Sequence, residues 1–132
     1  MKSLAGSSVA MPADPEAVVQ RQLDAYNARD LEALMATYAE NAEQFEHPSS
    51  LVASGSAQLR ERFAARFKEA NLHATLMKRM VLGQVVIDQE KVARTFSEGP
   101  GTMELVAIYE VQNGKIAKAW FIFGVRTLDT KP

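Results

Sequence analysis

The stretch that decides the fold is Thr102-Met103-Glu104-Leu105-Val106-Ala107-Ile108-Tyr109-Glu110-Val111, then Gln112-Asn113-Gly114-Lys115, then Ile116-Ala117-Lys118-Ala119-Trp120-Phe121-Ile122-Phe123. Two runs rich in β-branched and aromatic residues flank Asn-Gly, the strongest short-range signal for a tight hairpin. With Asn113 and Gly114 as the loop, Gln112 faces Lys115 and pairing follows outward. One face then carries Leu105, Ala107, Tyr109, Val111, Ile116, Lys118, Trp120 and Ile122. The other carries Glu104, Val106, Ile108, Glu110, Ala117, Ala119, Phe121 and Phe123. Both faces are mostly apolar in mid-strand, so both are expected to be covered.

Working outward from this hairpin, Gly99-Pro100-Gly101 is a turn. Before it, Val85 to Phe96 reads as a strand with a turn tendency near Asp88-Gln89-Glu90. Leu72 to Leu82 reads as another strand. The N-terminal half changes period. Asp14-Pro15-Glu16 starts a helix with Asp at the cap, Pro in the first turn and Glu behind it. That helix runs to Ala28, with Val18, Val19, Gln22, Leu23 and Tyr26 on its apolar face. Asp30 caps a short second helix with Leu31, Leu34, Met35 and Tyr38 inward. Glu43 to Glu46 and Leu51 to Ala53 are brief strands around the turn His47-Pro48-Ser49-Ser50. A third helix spans about Ala57 to Glu69, with Leu59, Phe63 and Phe67 at four-residue spacing. The expected class is α+β: helices on one face of a curved, mostly antiparallel sheet.

Composition narrows the rest. At 132 residues the chain is long enough for one domain with one core. Residues 1–12 read as a flexible tail, with a natural start near Met11, and 13–128 as the domain. Net charge is −1, and no basic run points to nucleic acid or an anionic membrane. No apolar block has the length of a signal peptide or a membrane span, so the cytoplasm is the default. The chain has no cysteine, and its two histidines, His47 and His73, lack metal-ligand spacing. No cofactor and no metal are expected.

Taken together, Val18 to Arg21, Tyr26-Asn27-Ala28-Arg29-Asp30-Leu31, Leu34 through Ala42, the Gly55 helix start, Tyr109-Glu110-Val111 and Gly114-Lys115-Ile116 to Gly124 resemble the nuclear transport factor 2-like (NTF2-like) superfamily. The likeness is to its ketosteroid isomerase and SnoaL-like side and covers about residues 14–125. It implies a cone, in which three N-terminal helices close one face of a bent sheet around an apolar pocket. It points Ala119, Phe121 and Phe123 into the pocket. It also implies a homodimer through the outer sheet face, carried by Tyr109, Trp120 and Ile122.

Ketosteroid isomerases use a carboxylate base and an oxyanion hole made by a tyrosine and a protonated acid. The matching base position is Glu46 counted from the helix side, or His47 counted back from Pro48. The oxyanion tyrosine position is occupied by Gln22, a weaker donor. The acid position is Ala107 or Ile108, and neither donates. Tyr38 matches a supporting tyrosine, and Phe63 stands where another would be. A proton acceptor is thus retained without the hole, and steroid isomerisation of the familiar kind is not expected.

The expected function is binding of a small hydrophobic molecule, with general acid/base isomerase, cyclase or dehydratase chemistry. Glu46 or His47 would take the proton. Gln22, Tyr26 and Tyr38 would orient polar atoms, and Phe63, Phe67, Ala119, Phe121 and Phe123 would form the walls. His73 and Glu104 are weaker candidates. The alternative is a non-catalytic ligand-binding or dimerisation module built on the same cone. Epoxide hydrolysis would need an inward Asp-Arg-Asp trio, which the sequence does not display.

Overall fold

The computed structural model describes residues 14–129. The expected tail, residues 1–12 with Met11, lies outside the described residues. Helix α1 spans Pro15–Ala28, with proline in its first turn. Asp14 does cap it, through its backbone carbonyl to Val18 N at 3.1 Å rather than through its side chain. The helix stops at Arg29, whose left-handed φ of 55° turns the chain. Asp30 then accepts a hydrogen bond from Ala33 N at 3.1 Å and starts α2, Leu31–Met35.

The remaining elements are β1 (Tyr38–Glu46), β2 (Ser50–Ser54), α3 (Ser56–Arg66), β3 (His73–Leu82), β4 (Val85–Phe96), β5 (Gly99–Gln112) and β6 (Lys115–Leu128). They form a single six-stranded sheet in the order β2-β1-β6-β5-β4-β3. Every pairing is antiparallel except β1 with β6, which is parallel. Tyr38, expected on the second helix, instead begins β1. The class is α+β, a curved sheet with its helices on one face.

The core lies between the helices and the concave face. Val18, Val19, Leu34, Leu59, Val86, Ala107, Val111 and Ile116 are all essentially inaccessible. Asn27 ties α1 to edge strand β3. Its amide nitrogen donates to Ala74 O at 2.9 Å and its oxygen accepts from Ala74 N at 2.8 Å, so one side chain mimics a strand partner.

The hairpin departs from the simple pairing at one residue, and the consequence is large. Gln112 faces Lys115 and Val111 faces Ile116, as expected. The next pair is Glu110 with Lys118, so Ala117 is an extra residue. A β-bulge of this kind flips the side-chain alternation on one strand only. Beyond it, Tyr109 faces Ala119, Ala107 faces Phe121 and Leu105 faces Phe123. Tyr109 is therefore not an outer-face residue. It is 3% exposed, and its ring meets Phe121 edge-on with a centroid separation of 6.4 Å. Trp120 and Ile122 do lie outside, opposite Ile108 and Val106. Glu104 sits at a second irregularity and is exposed, instead of facing the interior across from Phe123.

Candidate functional site

A cavity of about 70 Å³ lies between α1, α3 and the concave side of the sheet. At roughly 10–15 Å³ per water position, it has room for about five to seven waters. Its apolar wall is Leu23, Phe63, Val92, Leu105, Phe121 and Phe123. The polar groups facing it are Gln22, Tyr26, Tyr38, Gln44, Arg62, Arg66, Glu90 and Tyr109. Apolar walls with a few convergent polar groups are what a small-molecule site requires.

Each polar group is placed by its element. Strand β4 sends alternate residues inward, and Val86, Asp88, Glu90 and Val92 are all buried. Asp88 is bound by a bidentate arginine: Arg79 Nε and Nη2 donate to its two oxygens at 2.7 and 2.9 Å. Arg79 also donates to Gln20 Oε1 at 2.8 Å. Glu90, one inward step along, is 6% exposed and has no hydrogen-bonded or ionic partner among the described residues. Burial, reinforced by the charge on Asp88 and only partly offset by Arg79, pushes its carboxyl up to about 7. A buried carboxyl facing a cavity and half-protonated at neutral pH can both take and give a proton.

The hydroxyls and amides form a second group. Gln22 Nε2 donates to the Tyr38 hydroxyl at 3.3 Å. Gln44 Oε1 accepts from Arg62 Nε at 3.2 Å. Tyr26 packs edge-on against Phe63 and Phe67. Burial raises Tyr26, Tyr38 and Tyr109 above the ordinary tyrosine value, so all three are neutral hydrogen-bond donors at pH 7. The Tyr109 hydroxyl has no hydrogen-bonded partner among the described residues, which leaves its proton available to the cavity.

Of the residues expected at the site, Gln22, Tyr26, Tyr38, Phe63, Phe121 and Phe123 do line the cavity. Phe67 and Ala119 do not. Phe67 packs behind Tyr26 at the end of α3, and Ala119 is wholly buried in the core. Glu46 and His47 are exposed and absent from the lining. The reason is position along β1, whose inward residues Ala42 and Gln44 are buried while Glu46 is the last residue before the turn. Gln44 occupies the inward place expected of a base. His47 holds the strand end through its backbone, donating to Phe121 O at 2.9 Å. His73 is exposed on β3.

A family model, that of the SnoaL-like domain, matches residues 19–119. This chain belongs to the SnoaL-like domain family. No functionally curated protein matches it. Solved structures similar to this SnoaL-like chain include an uncharacterised cystatin-fold protein of Novosphingobium aromaticivorans, at 23% identity and TM-score 0.75, covering 83% of this chain and 97% of that one. Another is a Catenulispora acidiphila protein with a ketosteroid isomerase-like fold, at 15% identity and TM-score 0.70, covering 82% and 85%. A third is an NTF2-like protein of unknown function from Cytophaga hutchinsonii, at 16% identity and TM-score 0.71, covering 87% and 94%. At these identities the likeness establishes the NTF2-like fold.

Five of the cavity's polar groups are not marked as site residues by the SnoaL-like sequence or are placed elsewhere by it: Gln44, Arg62, Arg66, Glu90 and Tyr109. One signal was there for Glu90. It shares strand parity with Val86 and Val92, so a carboxylate stands where the pattern demands a core residue.

Proposed function

We propose that this SnoaL-like protein binds a small, largely apolar molecule in the cavity and moves a proton on it, with Glu90 as the acid/base. The observation that carries this reading is Glu90 itself: buried, facing the cavity, without a partner, and pushed up to about 7. Glu90, not Glu46 or His47, is the proton acceptor in this reading. Tyr109 and Tyr26 donate hydrogen bonds to the oxygen on which charge develops. Gln22 and Tyr38 orient polar atoms, and Phe63, Phe121 and Phe123 hold the apolar body. The reaction class is isomerisation, cyclisation or dehydration, all of which begin with proton removal next to a carbonyl.

A test uses 3-cyclohexenone, whose conversion to the conjugated 2-cyclohexenone is followed by ultraviolet absorbance. Glu90 would take the proton from C2 and return it to C4. Glu90→Gln and Glu90→Ala are expected to lower the enzyme-dependent rate by about 100-fold or more. Full retention of rate in both variants rejects Glu90 as the base.

A second reading, a non-catalytic binding or dimerisation module, draws on the exposure of Glu46 and His47 and on the outer sheet face. Phe45, Trp120, Ile108, Ile87 and Met80 are cross-strand neighbours there, with Phe45 and Trp120 stacked at 5.6 Å. This row supports a homodimer through that face, with Ile122 beside it. If the wild-type protein binds small apolar molecules yet leaves 3-cyclohexenone unconverted, the module reading is preferred. Among the described residues no helix is long and apolar enough to cross a membrane. The proposal takes the protein to work in the cytoplasm.

A further inference from the structure

The cavity of this protein has a second, oppositely charged end. Helix α3 buries Leu59 and Phe63, and beside that stripe it places Arg62 and Arg66, one turn apart, on the cavity wall. An arginine on a solvated helix face needs no explanation, but Arg62 is half-buried and lines the cavity. Its Nε is spent on the neutral oxygen of Gln44, at 3.2 Å. Its Nη1 and Nη2 have no hydrogen-bonded partner, and no carboxylate pairs with it, among the described residues.

Glu69, the carboxylate beside Arg66, is already committed. Glu69 accepts from Arg94 Nε and Nη2 at 3.2 and 2.8 Å and from Thr95 N at 2.9 Å. Arg66 reaches the same carboxylate only at 3.6 Å. Arg66 and Arg94 therefore share one carboxylate, and Arg62 has none among the described residues. Burial and these like charges depress the Arg62 guanidinium below its ordinary value, the signature of a cation lacking a counter-charge.

We infer that the ligand carries a carboxylate, or an equally planar anionic oxygen pair, that docks on Arg62 while its apolar body lies against Phe63, Phe121 and Phe123. This inference rests on the small-molecule reading above and narrows its substrate class to small aromatic or alicyclic acids. A planar fork of two N–H donors matches the two oxygens of a carboxylate, which a point charge would not do. The charge on Arg62 would also orient the ligand, with the acid group at α3 and the reacting carbon toward Glu90 on β4.

The test compares benzoate with its neutral isostere benzamide by calorimetry or amide chemical-shift titration. Wild-type protein is expected to bind benzoate at least about tenfold more tightly than benzamide. Arg62→Gln should bring the two affinities together, chiefly by weakening benzoate, and an unchanged urea-unfolding midpoint with retained benzamide binding reports an intact cavity. Arg62→Lys should restore part of the preference. The inference is overturned if wild type shows no preference, if Arg62→Gln keeps it, or if only Arg66→Gln removes it. Should benzamide bind and benzoate do no better, this inference falls and the cavity reading stands. Should neither show saturable binding up to its solubility limit, both fall.

Discussion

Glu90 shows how one residue sets a pH dependence for the whole protein. Its carboxyl has an ordinary value of 4.5 and is raised to about 7 in the fold. Between those values the folded state binds more protons than the unfolded chain, so stability falls as pH rises through that window. Below it the residue costs nothing, and above it the full penalty is present. The shift corresponds to about 3 kcal/mol. Tyr26, Tyr38 and Tyr109 beside it are raised above the ordinary tyrosine value by burial and stay neutral across this window. Glu90→Gln is thus expected to raise stability by about 2–3 kcal/mol at pH 8 and to leave it nearly unchanged at pH 5, as read by urea unfolding. Equal effects at both pH values would mean that Glu90 titrates like an exposed carboxylate. A residue that destabilises the fold at the working pH is commonly one kept for function.

At the scale of elements, two devices position the site. The Ala117 bulge rotates the register of β5 against β6, and by doing so brings Tyr109 inward beside Phe121. The Asn27 side chain fixes α1 on β3, and α1 carries Gln22 and Tyr26 over the cavity. Its two bonds are to backbone groups of a residue that is itself buried, so removing them leaves those groups unsatisfied. Asn27→Ala is expected to cost about 1–3 kcal/mol in thermal or urea unfolding, whereas the neighbouring exposed Ala28→Ser should cost under about 1 kcal/mol. Two glycines record how close β5 and β6 come at their far end. A Cβ on Gly101 would lie 2.4 Å from Thr127 O, and one on Gly124 2.9 Å from Glu104 O, both backbone atoms that cannot yield cheaply.

For the whole molecule, all three helices close the concave side and leave the convex side to solvent or a partner. The apolar row from Phe45 to Met80 runs across five strands, and Met80 and Ile122 are 63% and 40% exposed. If that face pairs two copies, Trp120→Glu and Ile108→Lys should each convert a dimer to monomer in sedimentation or light scattering, without loss of the benzamide site inside the cone. A wild-type protein that sediments as a monomer at high concentration would remove the dimer proposal. In the dimer proposal the division of labour is physical: one sheet would offer its two faces to two tasks, a cavity within and an interface without.

The sequence by itself determined the secondary elements and their order. Asp14-Pro15, Asp30, Gly55, the Asn113-Gly114 turn and the apolar periods are local signals, and local physics reads them. It also located part of the site's walls, Phe63 by its four-residue spacing and Phe121 and Phe123 by the family resemblance. Only the tertiary structure decided the chemistry. Asp88-Gln89-Glu90 resembles a turn when read alone, since strands seldom bury carboxylates; it becomes mid-strand because β3 and β5 pair on either side of it. Glu46 and Gln44 share a strand face, and which of them meets the cavity depends on where the helices end their cover, not on alternation. A single extra residue at Ala117 reverses which hairpin side chains face inward, and nothing in the flanking sequence marks a bulge there. Periodicity is a property of neighbours along the chain, whereas burial, and with it the protonation of Glu90, belongs to neighbours in space.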